Sequence, residues 1–205
     1  MDIPIDIPGL NQLIPSIPGG NLILLKGTSD PVKTYFVQYL ANRAHARQAK
    51  VIYVSSRGRE EVQEQFRKLF NNGVPSDINE EKSPMKWVNQ VGEGNVLVVD
   101  SFSYLMFDKD VHVLRTVLEE VRRIVKEKGG TVVLTMDDGM FDQVHEAILM
   151  HLVDGIIEFM HKETSEGMRR FMRISRWMDG RIFDGNIYYT FDEMRINVDL
   201  RYRVV

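Results

Sequence analysis

Gly27, Lys33 and Thr34 occupy the first glycine, the lysine and the hydroxyl positions of a G-x-x-x-x-G-K-[ST] pattern. In such a loop backbone N–H groups close around phosphates, the Lys ammonium reaches β/γ-phosphates and the hydroxyl ligates Mg²⁺. The stretch departs from the pattern at Asp30, Pro31 and Val32. Pro31 removes one N–H donor and fixes φ, and Val32 brings a branched Cβ where the second glycine would let backbone and phosphate approach. Asp30 adds a carboxylate beside a polyphosphate, or else caps the following helix with Pro31 in its first turn. The loop thus reads as a sound strand–helix connection and a poor phosphate cradle.

The elements around it have the required order. Apolar residues 21–26 lead in as a strand, and Phe36, Val37, Leu40, Ala41 and Ala44 recur at helical spacing afterwards. Further apolar strand-like runs lie at 51–54, 96–99, 131–135 and 155–159. Helix-period stripes fall between them: Val62, Phe66, Leu69 and Phe70; Leu114, Val117, Leu118, Val121 and Val125; Phe141, Val144, Ile148 and Leu152. Continuous apolar strands alternating with helices predict a parallel sheet covered on both faces. From Gly167 the pattern changes to short strands at 168–176, 186–191 and 194–199, with turns at Asp179-Gly180 and Asp184-Gly185, an antiparallel extension. Residues 71–94 are polar and proline-punctuated and read as a long loop.

Composition narrows the functions. The 205 residues suit one domain over 1–205. Without cysteine, disulfides and Cys–metal sites are excluded, and the five histidines show no ligand spacing, so no structural metal is expected. A net charge of −3 gives no general attraction to nucleic acid or to anionic membranes. The opening MDIPIDIPGL has neither the charge nor the apolar run of a signal peptide, and no segment approaches the ~20 apolar residues of a membrane span. A cytoplasmic location is expected.

Four segments, in order, resemble a single KaiC-type module of the RecA-like P-loop ATPases: GLNQLIPSIPGGNLILLKG at 9–27, GTSDPVKT at 27–34, NVLVVDSFS at 95–103, and LVDGIIEF at 152–159 with RRFMRISRWMDG at 169–180. The resemblance implies a three-layer α/β RecA-like P-loop fold, mainly parallel with a C-terminal antiparallel extension. It also implies ATP and Mg²⁺ as cofactors if the site is competent, held at a subunit border of a ring or filament. Nucleotide contacts would come from Gly27, Thr28, Ser29, Lys33, Thr34 and Asp100, with Thr34 and Asp100 on Mg²⁺. Asp100 ends an apolar strand; the alternative is an Asp that caps the strand or the next turn. Thr135 stands where the family has a polar sensor, and equally suits a β-branched strand residue.

The family's catalytic Glu pair follows the second core strand, but here Arg57-Gly58-Arg59 intervenes before Glu60 and Glu61. These two are the catalytic candidates, and they also suit the first turn of a helix. Arg176 takes the place of the Lys that reaches a neighbour's nucleotide, Arg173 lies on the same strand, and Met178 stands where an Arg is expected. A solvated strand face, or a nucleic-acid patch with Phe171 and Trp177, are the other readings of this basic run. The combined expectation is a P-loop protein with a decayed ATP site, weak or no hydrolysis, and a heterologous protein partner or a homo-oligomer. An active KaiC-type ATPase and a DNA-associated recombinase paralogue are the alternatives.

Overall fold

In the computed structural model the described residues are 1–28, 31–70, 73, 75, 77–79, 83–165, 167–181 and 183–199. The predicted strands form β3 (Leu22–Gly27), β4 (Val51–Ser55), β6 (Val96–Asp100), β7 (Thr131–Asp137) and β8 (Gly155–Thr164). The predicted helices form α2 (Pro31–Ala46), α3 (Arg59–Leu69), α6 (Val111–Lys128) and α7 (Gln143–Leu152). The extension is β9 (Gly167–Arg176), β10 (Ile187–Asp192) and β11 (Arg195–Asp199). All belong to one sheet of order β11-β10-β9-β8-β3-β7-β6-β4-β5, where β5 is Asp77–Asn79. Pairing is parallel from β8 to β5 and antiparallel from β8 to β11.

Alternation along the strands fills two cores. Ile23, Leu25, Tyr53 and Val98 meet Phe36, Val37 and Leu40 of α2 and Val62 and Phe66 of α3. On the opposite face, Leu22, Leu24, Ile52, Leu97 and Val99 meet Leu114, Leu118 and Val121 of α6 and Leu149 of α7. A strand buried on both faces needs apolar side chains at every position, which is why these strands read as unbroken runs. The helix ends are fixed locally. Asp110 caps α6 by accepting from the His112 N–H at 2.7 Å, and Gly129, at φ 75°, closes its other end.

Several expectations need correction. The 71–94 region is not all loop: it holds the edge strand β5 and α4 (Pro84–Val88), whose Trp87 is fully buried in the core that α6 shares. A single aromatic among polar residues carries no periodicity, so the helix was invisible. In α7 the buried residue is Leu149, while Val144 of the expected stripe is 58% exposed. β7 runs two residues beyond Thr135, to Asp137. The reversal between β10 and β11 uses Glu193 and Met194, at φ 49° and 59°, so the paired positive-φ conformation of a tight hairpin forms without Gly. The N-terminal segment is part of the fold: β1 (Ile3–Pro4) pairs with β2 (Ser16–Ile17) around the short α1 (Leu10–Leu13), and Ile3, Ile5 and Ile7 enter the core.

Candidate nucleotide site

The C-terminal ends of β3, β4, β6 and β7 lie side by side, the usual place for a ligand crevice in a parallel α/β sheet. Gly27 closes β3 beneath the carbonyl of Phe159. A Cβ there would lie 2.2 Å from that oxygen, so only glycine fits. The Thr28 hydroxyl is 3.2 Å from His161 Nδ1 on β8. Ser29 and Asp30 lie outside the described residues. Pro31 is the first residue of α2, where its missing N–H breaks no helical bond. Val32 does not crowd the crevice as its sequence position suggests. Its side chain is fully buried among the apolar residues of the α2 face.

Lys33 is the decisive residue. It is 2% exposed, and its ammonium donates to the carbonyls of Gly27 at 3.0 Å and Met136 at 2.8 Å and to Asp137 Oδ1 at 2.6 Å. An ammonium has three donors, and all three are used. Asp137 Oδ2 accepts from the Ser101 hydroxyl at 2.8 Å. The Ser103 hydroxyl lies 2.9 Å from that of Ser101 and accepts from the Asp137 N–H at 3.0 Å. Asp137 is therefore clamped from three sides.

Asp100 is held in the same manner. It is 7% exposed; Oδ1 accepts from Thr135 Oγ1 at 2.9 Å and Oδ2 from the Tyr53 hydroxyl at 2.8 Å. Burial, then the Asp100 charge, pushes the Tyr53 phenol well above its ordinary range, so it stays a donor. Thr135 is thus brought to Asp100 by its hydroxyl.

Thr34, Ser56, Arg57, Asp100, Ser101 and Asp137 line a cavity of about 290 Å³, with Pro31 and Tyr104 completing its wall. That is at the lower limit of ordinary ligand pockets, about 300–1,000 Å³. Glu60 and Glu61 are not in it. Both lie exposed in the first turn of α3, and Glu61 is 3.6 Å from Arg57. Arg173 reaches both oxygens of Glu158 at 3.3 Å, and Ser175 also donates to that carboxylate. Arg176 donates to the carbonyls of Met150 at 2.7 Å and Val153 at 3.1 Å, closing the end of α7. A second cavity of about 450 Å³ opens on the extension, between Met168–Arg170 of β9 and Tyr188–Asp192 of β10.

Sequence reasoning missed Asp137, Tyr53 and Ser101 as members of the site. Tyr53 reads as a core aromatic, and Asp137 sits in a Met-Asp-Asp run that looks like the loop after a strand. Only Ser101 had a signal, the Asp-Ser-x-Ser pattern. As they stand, these residues do not fit a triphosphate with Mg²⁺. The loop lysine has no free donor, each oxygen of Asp100 already accepts one hydrogen bond, and a second carboxylate lines the wall. Among the described residues no group of three His, Asp or Glu is placed to hold a metal ion by itself.

A phosphate-loop strand and helix separated by one strand from the strand that Asp100 ends, in a mainly parallel sheet with an antiparallel extension, defines a RecA-like P-loop domain. A family model described as "ATPase: KaiC" matches residues 74–199, more than half of the chain, and the chain belongs to that family. That ATPase family implies use of nucleotide and Mg²⁺ in general. A search of the curated proteins finds no match. Among solved structures, the flagellar accessory protein FlaH from Methanocaldococcus jannaschii is similar over 97% of this chain and 98% of its own, at 18% identity and a TM-score of 0.74. The KaiC-like protein PH0186 from Pyrococcus horikoshii OT3 is similar over 97% of this chain and 99% of its own, at 16% identity and a TM-score of 0.76. At these identities the likeness is one of fold. No helix among the described residues is long and apolar enough to cross a membrane.

Proposed function

We propose that this KaiC-family domain has a decayed ATP site and acts by binding a partner protein in the cytoplasm, with ATP hydrolysis very slow or absent. The observation that carries this is Lys33, whose three donors are all spent inside the chain. Phosphoryl transfer is catalysed by positioning and charge stabilisation. A lysine neutralised by Asp137, and no glutamate among the described residues of the cavity wall, leave little of either. The net charge of −3 and the engaged Arg173 and Arg176 make nucleic acid an unsuitable partner. They also support weak self-association that nucleotide barely changes.

The competing reading is an active ATPase, favoured by Thr34, Asp100 and Ser101 sharing one cavity. Turnover of ATP·Mg²⁺ separates the two. We expect a rate below about 0.1 s⁻¹, a hundredfold under the ~10 s⁻¹ enzyme median. A faster rate that Lys33→Met abolishes would return the protein to the active class.

A further inference from the structure

We propose that Asp137 is the specificity-determining residue of the cavity at the ends of β4, β6 and β7: its carboxylate stands in for a phosphate on Lys33 and keeps polyphosphates out. The inference rests on the reading above that Lys33 is withheld from ligands. Three observations point to this residue. Its Oδ1 is the only charged partner of the Lys33 ammonium among the described residues, at 2.6 Å, whereas Gly27 and Met136 offer neutral carbonyls. Its other oxygen and its N–H are fixed by Ser101 and Ser103, so the carboxylate is held in place and not merely drawn to the lysine. It lines the cavity itself, so the charge that cancels Lys33 faces the space a phosphate would enter.

The charges on this wall follow. Lys33 and Asp137 cancel, and Arg57 and Asp100 balance each other on the wall, so an incoming anion meets no net positive charge. Replacing the Asp137 carboxylate by an amide removes one negative charge. It leaves the two neutral carbonyls on Lys33 and releases the ammonium's electrostatic tie. Asparagine can still accept from Ser101, so the clamp survives. Asp137 acts through Lys33, as a positioning residue.

The test uses inorganic tripolyphosphate with Mg²⁺ as the anionic probe and adenosine as the neutral one, with calorimetry on the full chain. We expect the parent to bind tripolyphosphate at millimolar strength or weaker, and Asp137→Asn to bind it at least tenfold tighter, with adenosine unchanged. Asp137→Glu should behave as the parent, and Asp137→Asn combined with Lys33→Met should lose the gain. A purely structural role would shift melting temperature without changing the ratio between the two probes. If Asp137→Asn does not fold, Asp137→Ser reads the same ratio. A folded neutral variant that binds tripolyphosphate no better than a weakly binding parent overturns this inference alone. A parent that already binds it at micromolar strength overturns the reading of Lys33 as well.

Discussion

The parallel half of the sheet and its antiparallel extension treat polar side chains in opposite ways. Around the ends of β3, β6 and β7, Lys33, Asp100 and Thr135 are buried, Thr135 bonded to Asp100 and Lys33 to Asp137, so the polar groups act as structure. On the extension, the arginines of β9 stay near solvent: Arg173 is half exposed beside Glu158, and Arg176 lies along the end of α7. A buried charge without partners is costly, so every group taken into the parallel half had to find one. An exposed arginine is under no such constraint and contributes little to stability. The presence of a motif residue therefore says less about activity than whether its donors remain free.

The sharpest way to break this comparison is Lys33→Ala. A phosphate-loop lysine that only serves a ligand can be removed with little effect on folding. Here its loss strands two carbonyls and Asp137, and breaking a buried pair costs about 3–5 kcal/mol. Because Asp137 keeps 22% exposure, the lower end, about 3 kcal/mol, is expected in urea unfolding. A loss under about 1 kcal/mol, the net worth of one ordinary hydrogen bond, would mean that Lys33 is not a structural pin.

Arg176→Ala examines the other region. Removing a cation from the carbonyls at the end of α7 should cost about 1 kcal/mol, with no change in the mass seen by light scattering, with or without ATP·Mg²⁺. A stable hexamer that forms in the parent only with ATP, and is lost in this variant, would instead make Arg176 an intersubunit group.

The smallest effect is a pH dependence at the start of α7. The Asp142 carboxylate accepts from His145, whose imidazole is raised above its usual range mainly by that bond. A raised histidine gives stability that is complete below about pH 6.5, its unfolded value, and that fades as pH rises through the folded value. Nuclear magnetic resonance titration should place the His145 midpoint above that of a free histidine, and Asp142→Asn should return it. A midpoint at the free value in the parent would remove the pair from the account.

Much of this was legible in the chain. Leu22–Leu25, Val96–Val99 and Gly155–Phe159 announced a parallel sheet because burial on both faces leaves a continuous apolar run. The strand–helix connection was legible: Gly27 ends β3, where the Phe159 carbonyl leaves no room for a side chain, and Lys33 and Thr34 lie in the first turn of α2. Trp87 and Val144 were not, since one buried aromatic and one apolar residue on the wrong face carry no period.

The sequence by itself determined the order of strands and helices, the strand–helix connection after Gly27 and the antiparallel turn of the last third, because these depend on local periodicity and turn chemistry. Only the tertiary structure decided what the site does with its residues. Lys33 and Asp137 are 104 positions apart, and Tyr53 and Asp100 are 47 apart. Parallel pairing of β3, β7, β6 and β4 brings their ends together, and no local pattern records which donor will meet which acceptor there. The sequence supplied a phosphate-binding lysine; the register of four strands gave that lysine a carboxylate of its own.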